Sequence, residues 1–218
     1  MSGTLRTVVL VSGDGSNLQA ILAHCVTGGL GIRVVGVISD RPGVRALDRA
    51  SQAGVPALTV DYAAAGSRPA FSAWLAAALS RLNPDLVVLA GFMRILDTAL
   101  VEQYRGRMLN IHPSLLPKFP GLHTYRRALE AGEREHGATV HFVIPDLDAG
   151  PGILQYRVAI HGGDTEVSLR ERVRAGEHVI YPRALAWIAA GRASLKDGAV
   201  WLDGAPLAQP VVVDEVTS

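Results

Sequence analysis

Asn110 and His112 stand two residues apart in Met108-Leu109-Asn110-Ile111-His112, a run that alternates apolar and polar residues as a strand does. That spacing brings an amide and an imidazole out on one face. Polar groups in an otherwise apolar strand cost free energy unless they are paired. Pro113-Ser114-Leu115-Leu116-Pro117 follows at once and fixes the exit of the chain. A lone strand histidine is usually a satisfied structural residue, but a same-face amide and imidazole beside a proline-locked turn favour a functional role. A carboxylate that could join them is Asp148, in the loop Pro145-Asp146-Leu147-Asp148-Ala149-Gly150-Pro151. Loop aspartates commonly cap turns, so Asp148 gains weight only together with the pair.

A second candidate site is Ser12-Gly13-Asp14-Gly15-Ser16-Asn17, between the apolar run 8–11 and the helix-spaced Leu18, Ile21 and Leu22. A turn from a buried strand into a helix is where open α/β sheets bind ligands. Free backbone N–H groups and the helix dipole there favour an anion, most often phosphate. A dinucleotide fingerprint would need a third glycine where Leu18 stands, although Asp40, ending the second strand, is placed for an acidic ribose ligand. A P-loop is excluded, because no Gly-Lys-Ser/Thr follows and Lys118 and Lys196 are the only lysines. A plain glycine turn with Ser16 or Asn17 as helix cap stays open. Asp14 would repel a phosphate, so its side chain is expected to point outward.

The other histidines and arginines carry less. His24 and His161 have no context, His136 and His178 read as surface residues, and His123 starts a helix. His141, mid-strand on an apolar face, reads as a packed, satisfied residue. Arg126-Arg127 and Arg170, Arg172 and Arg174 read as solvated helix faces, and Cys25 as a buried helix residue.

The elements that must position these residues alternate. Strands are expected over 8–11, 33–39, 55–60, 85–90 and 108–111. Helices are expected after Ser16, from Arg41 to about Gly54, over 68–82 and over about 97–104. This β-α-β alternation requires an open, mostly parallel, Rossmann-like twisted sheet with helices on both faces. Strands at 138–144 and 152–160 are joined by a connection too short for a helical crossover, so they pair antiparallel. A helix over about 166–190, kinked or interrupted near Pro182, precedes a small hairpin over 194–207 with Asp197-Gly198 at its turn.

Composition narrows the function classes. The chain has 218 residues, 21 Lys+Arg against 20 Asp+Glu, 49% hydrophobic and 19% charged residues, the profile of a compact globule. A net charge of +1 lacks the basic footprint of a nucleic-acid binder. A single cysteine excludes an intrachain disulfide and a multi-cysteine zinc site. No apolar run approaches the roughly 18 residues of a membrane span. The expectation is a cytoplasmic enzyme or small-molecule binder.

Four segments in order identify a family: Ser12 to Asn17 with Leu18-Gln19-Ala20, Ala90-Gly91-Phe92-Met93-Arg94-Ile95-Leu96, Leu109-Asn110-Ile111-His112-Pro113-Ser114-Leu115-Leu116-Pro117, and Leu147-Asp148-Ala149-Gly150-Pro151. Together they resemble the phosphoribosylglycinamide formyltransferase family, folate-dependent enzymes of purine synthesis, over nearly the whole chain. The Asn-x-His and Asp set is shared by folate-dependent formyltransferases in general. The S-G-x-G-S-N turn and Pro120-Gly121-Leu122-His123-Thr124 are more specific to this branch.

The resemblance implies transfer of the formyl group of 10-formyltetrahydrofolate to glycinamide ribonucleotide. It places the ribonucleotide's phosphate on Gly15, Ser16 and Asn17 and its ribose on Glu177. It places the folate against Arg68, Met93, Arg94, Ile95, Leu96 and Asn110, with the segment Ile144 to Asp148 closing over the pterin. Asp14 departs from the family, where many relatives carry Asn, and adds a negative charge near the phosphate. One formyltransferase domain over 1–218 is expected, with a mononucleotide-binding half to about 105 and a catalytic, folate-binding half beyond it. Small-molecule substrates and no metal are expected, and a homodimer is left open.

In that reaction Asn110 and a protonated His112 donate to the oxyanion, and the negative charge of Asp148 favours the imidazolium. Asp148 carries the proton from the attacking amine to the departing folate nitrogen, through a water. Two relatives with the same triad compete. Formyltetrahydrofolate hydrolase normally carries a regulatory domain before the catalytic one, and strand one here begins near the N-terminus. Methionyl-tRNA formyltransferase adds a C-terminal β-barrel and a basic surface. A non-catalytic nucleotide-binding module, using the glycine turn and Asp40, would leave the coexistence of Asn110, His112 and Asp148 unexplained. His112→Ala and Asp148→Ala are expected to lose most turnover while folding survives; near wild-type kcat in either variant contradicts the assigned roles.

Overall fold

The computed structural model describes residues 4–215. Strands β1 (Leu5–Val11), β2 (Ile32–Ser39), β3 (Ala57–Thr59), β4 (Leu86–Leu89) and β5 (Met108–His112) are mutually parallel. Between them run helices α1 (Ser16–Val26), α2 (Arg45–Gln52), α3 (Tyr62–Ala65), α4 (Arg68–Leu82) and α5 (Thr98–Gln103). After α6 (Thr124–Glu130) comes β6 (Glu135–Phe142), antiparallel to both β5 and β7 (Gly152–Ala159). Helix α7 (Glu166–Ala189) leads into a separate antiparallel sheet of β8 (Ala193–Lys196), β9 (Ala199–Leu202) and β10 (Ala205–Pro206). The chain then returns as β11 (Val211–Asp214), parallel to β7. The main sheet has the order β11-β7-β6-β5-β4-β1-β2-β3. This is the expected Rossmann-like architecture. No helix among the described residues is long and apolar enough to cross a membrane.

The central strands read as continuous apolar runs because both faces of the sheet are covered. Val9, Val11, Leu109 and Ile111 face a layer that includes Leu18 and Ile21 of α1 and Val173 and Tyr181 of α7. Val8, Leu10, Val87 and Met108 face the opposite layer, with Phe71, Leu75 and Leu79 of α4 and Leu100 and Val101 of α5. The alternation on β5 therefore turns Asn110 and His112 toward the α4–α5 side. The buried Tyr181 hydroxyl donates to the carbonyls of Leu89 and Leu109 at 2.9 and 3.3 Å, tying α7 to two central strands.

Several boundaries differ from the sequence reading. The second helix begins at Arg45 rather than Arg41, because Gly43 takes a positive φ of 67° and Val44 stays extended. The 68–82 helix matches its expected bounds, with Ser67 capping it through Ala70 N–H at 3.3 Å. Pro182 lies inside α7 without dividing it. The hairpin gains a third strand, β10, and β11 was not expected. Its short Val-rich run follows Pro210 and is secured by neighbours far in sequence, with Arg157 bonding Asp214 at 2.7 Å.

On the α4 side Phe71 is 1% exposed and lies between Tyr62 and Phe92, at centroid distances of 5.1 and 6.5 Å. Phe71→Ala is expected to lower the unfolding free energy by ~3–5 kcal/mol, through lost burial and the cavity left behind. Urea denaturation should show the midpoint falling with an unchanged slope.

Candidate active site

β1 and β4 are adjacent in the sheet, but the chain winds outward from β1 through β2 and β3 in one direction and from β4 through β5 in the other. That reversal opens a crevice at the carboxyl ends of the strands. The glycine turn follows β1, the segment Gly91 to Leu96 follows β4, and His112 ends β5. Met93 N–H donates to Ser12 Oγ at 2.9 Å, stitching the first two together.

In the glycine turn, Gly15 takes φ 77° at the start of α1, and a Cβ there would come within 2.7 Å of Ala46 Cβ. Glycine is required on both counts. Neither Ser16 nor Asn17 caps the helix: α1 has no side-chain cap, so first-turn N–H groups remain for a ligand. Asn17 instead donates its amide to Glu177 Oε2 at 2.8 Å, across from α7. Its own Oδ1 is buried without a partner. The Glu177 carboxyl is pushed above its ordinary range by burial, against the lowering effects of Asn17 and Arg174. Asp14 is half exposed, as an outward residue should be, but its charge is not free. Arg45 and Arg49 meet its carboxylate at 3.3 and 3.2 Å, and Arg49 Nε also donates to its backbone carbonyl at 2.8 Å.

On β5, both ring nitrogens of His112 have a close partner, one a hydrogen bond and one a carboxylate contact. Nε2 lies 2.9 Å from the carbonyl of Phe119 and Nδ1 3.3 Å from Asp148 Oδ2. A carbonyl can only accept, so Nε2 carries a proton. Nδ1 faces a carboxylate oxygen, a contact that becomes an ion pair when the ring carries both protons. Asp148 is turned back onto the strand by a positive φ of 52° and by Gly121 N–H donating to the same Oδ2 at 2.9 Å. The loop presenting Phe119 is braced from the sheet. Thr139 Oγ1 donates to Ser114 O at 2.7 Å and accepts from Leu116 N–H at 3.1 Å. Gln155 Nε2 donates to Leu116 O at 2.8 Å.

Asn110 pairs in register with His141 of β6, and its Nδ2 lies 3.2 Å from His141 Nε2. His141 Nδ1 lies 2.9 Å from the carbonyl of Phe142 and therefore holds the ring proton. Nε2 is left to accept from Asn110. His141 is packed and satisfied, as expected, but it belongs to the site, with Nε2 4.0 Å from Asp148 Oδ1. Its position opposite Asn110 was the signal that could have found it. His136 was expected at the surface and is instead buried between Phe119 and Tyr125. Thr139, Gln155 and Arg49 act through hydrogen bonds to loops, which sequence spacing does not disclose. Among the described residues no group of three or more His, Cys, Asp or Glu is arranged to hold a metal ion.

Arg94, Ile95, Leu96, Asn110, Ile144 and Asp148 line one cavity, together with His141 and the loop residues 145–147. Arg68 reaches that segment by donating to Leu96 O at 3.1 Å. Met93 is exposed and is not among the residues lining the cavity. Asp40, considered above as a ribose ligand, is committed elsewhere: its buried carboxylate is paired with Arg94 Nε at 2.6 Å. Arg172 is likewise no free helical arginine, since it pairs with Asp164 and Glu215.

The family model of formyl transferases matches residues 5–185. The chain belongs to the formyl transferase family. It is 50% identical over 200 residues to phosphoribosylglycinamide formyltransferase of Escherichia coli, covering 92% of this chain and 94% of that protein. The solved phosphoribosylglycinamide formyltransferase of Coxiella burnetii is 49% identical, with a TM-score of 0.90 over 95% of this chain and 98% of its own. A formyltetrahydrofolate deformylase from Pseudomonas putida shares the fold at a TM-score of 0.83, but at 27% identity, covering 93% of this chain and 71% of that one. Among formyl transferases the similarity is thus concentrated in the phosphoribosylglycinamide branch.

The site predicts a pH dependence of stability. Burial pushes both His136 and His141 down to about 4, so the folded protein keeps them neutral. The unfolded chain protonates them below about pH 6.5 and binds more protons between 6.5 and 4. Stability should therefore fall as pH drops through that window, by up to ~1.4 kcal/mol per pH unit for each ring. Urea titrations from pH 7 to 4 measure this slope, and His136→Gln should flatten it by one ring's share.

Proposed function

We propose that this chain transfers the formyl group of 10-formyltetrahydrofolate to the amine of glycinamide ribonucleotide, giving formylglycinamide ribonucleotide and tetrahydrofolate in purine synthesis. The observation that carries the reading is His112, held by Phe119 and Asp148 on the face it shares with Asn110, both Asn110 and Asp148 lining the cavity formed with residues 94–96 and 143–147. Residues fit for both substrates are present. Gly15, Ser16 and Asn17 offer uncapped N–H groups at a helix N-terminus for the phosphate. The buried Asn17 Oδ1 and the Glu177 carboxyl offer acceptors to the ribose. Ile95, Leu96 and Ile144 give an apolar wall for the pterin, and Arg68 and Arg94 give cations for the folate carboxylates.

The reaction forms a bond from the amine nitrogen to the formyl carbon and breaks the bond from that carbon to the folate nitrogen. Asn110 Nδ2 is the neutral donor to the oxygen that gains charge, and His141 Nε2 keeps that amide oriented by accepting its other hydrogen. His112, as an imidazolium, is the charged partner of that oxygen; with Nε2–H taken by the Phe119 carbonyl, it donates through Nδ1–H as that proton turns from Asp148. Loss of one such donor typically costs ~2.7–4 kcal/mol of transition-state stabilisation. Asp148 Oδ2 is occupied by Gly121 N–H and the His112 ring, which leaves Oδ1 to take the amine's proton through a water and return it to the leaving nitrogen. Acid–base assistance of this kind contributes about 10²–10⁴ in rate. The whole chain acts as one formyltransferase domain, its halves to about residue 105 and beyond joined in a single sheet.

The test is spectrophotometric deformylation of 10-formyltetrahydrofolate with glycinamide ribonucleotide, then with water alone as acceptor. Deformylation that depends on the ribonucleotide is the expected result. Equal rates without it would make the chain a hydrolase.

A further inference from the structure

Asp40 directly follows β2 with a fully buried side chain, and a buried carboxylate needs charged partners. It has two: Arg94 Nε at 2.6 Å and Arg41 Nη2 at 3.4 Å. Arg94 is held from a second direction, because its Cζ lies 4.0 Å from the centroid of the Tyr62 ring. That ring is itself fixed, edge-on to the buried Phe71 at 5.1 Å. Carboxylate and ring constrain different freedoms. The Nε–H bond to Asp40 sets the direction of the guanidinium within its plane, and the face of Tyr62 sets the plane. Arg94 stays 30% exposed and lines the cavity beside Ile95, Leu96 and Asn110. A guanidinium bound at Nε still has its two terminal nitrogens, which match a carboxylate in a planar, two-bond fashion. Holding that fork before binding removes much of the ordering cost of a long side chain.

We infer that Asp40 and Tyr62 are positioning residues that lock Arg94 as the receptor for a carboxylate on the acidic tail of the folate co-substrate, and so set preference for a charged tail over a neutral one. This rests on the folate reading of the cavity given above. Two effects of Asp40 oppose each other: it orients Arg94, and it cancels part of the charge that attracts an anion. If neutralisation dominated, removing Asp40 would tighten binding of the acidic tail. If orientation dominates, as the two-sided clamp requires, removing it weakens binding.

The experiment measures KM and kcat for two co-substrates, 10-formyltetrahydrofolate and an analogue whose glutamyl group is replaced by an uncharged amide. Glycinamide ribonucleotide is saturating throughout. Asp40→Ala should raise KM for the glutamyl compound roughly tenfold, the scale of one weakened charge-assisted bond, with kcat and the KM of the neutral analogue unchanged. Asp40→Asn keeps an acceptor for Nε and should restore much of the loss. Tyr62→Phe should match wild type and Tyr62→Leu should not, which tests the clamp even if Asp40→Ala fails to fold. In an Arg94→Leu background, Tyr62→Leu should have no further effect on KM. A tightened KM on removing Asp40, or an equal rise for both co-substrates, would overturn the inference. Failure of the wild-type enzyme to use either co-substrate would instead overturn the folate reading itself.

Discussion

His112 is held at both ring nitrogens, by a backbone carbonyl on one side and a carboxylate on the other, and that double attachment sets the requirements for the surrounding structure. The carbonyl belongs to Phe119, so the loop after β5 must return to its own strand. Thr139 and Gln155, on β6 and β7, make the bonds that bring it back. The carboxylate belongs to Asp148, so the β6–β7 connection must fold back toward the carboxyl end of β5, and Gly121 N–H fixes where it lands. A single antiparallel strand among the described strands of the main sheet serves both needs. β6 places Thr139 opposite His112 and His141 opposite Asn110, and its end launches the loop that carries Asp148.

Burial and ion pairing arrange the charges around the His112–Asp148 contact. His141 and His136, close by, are kept neutral by burial and do not compete for the negative charge of Asp148. Positive charge is stationed at the edges of the crevice instead. Arg45 and Arg49 take up the Asp14 carboxylate beside the glycine turn, so its negative charge there is compensated. Arg94 is tethered to Asp40 at the cavity. Asp14 and Asp40 are thus paired with arginine, whereas Asp148 faces a histidine ring and Glu177 is bonded by Asn17.

Much of the site was legible because its residues lie close in sequence or on elements with a clear period. The two-residue spacing of Asn110 and His112 is a property of any strand, and the glycine turn announces itself by residue type. The strong apolar runs gave the parallel strands and their flanking helices. Features that depend on partners remote in sequence were not legible. β11 is too short to signal itself and exists because β7 has a free edge. His136 was read as exposed because nothing local shows that Phe119 and Tyr125 enclose it. Asp40 was considered for a ribose because its place at a strand end is visible from spacing, whereas Arg94, 54 residues away, is not.

The proposed mechanism requires His112 to carry a proton toward Phe119 and a second toward Asp148. ¹⁵N NMR of histidine-labelled enzyme at neutral pH reads both nitrogens directly. The account predicts a protonated Nε2 and an Nδ1 shifted toward the protonated position, with Nδ1 alone reverting to an unprotonated acceptor in Asp148→Asn. An unprotonated Nε2, or an Nδ1 indifferent to Asp148→Asn, would contradict it.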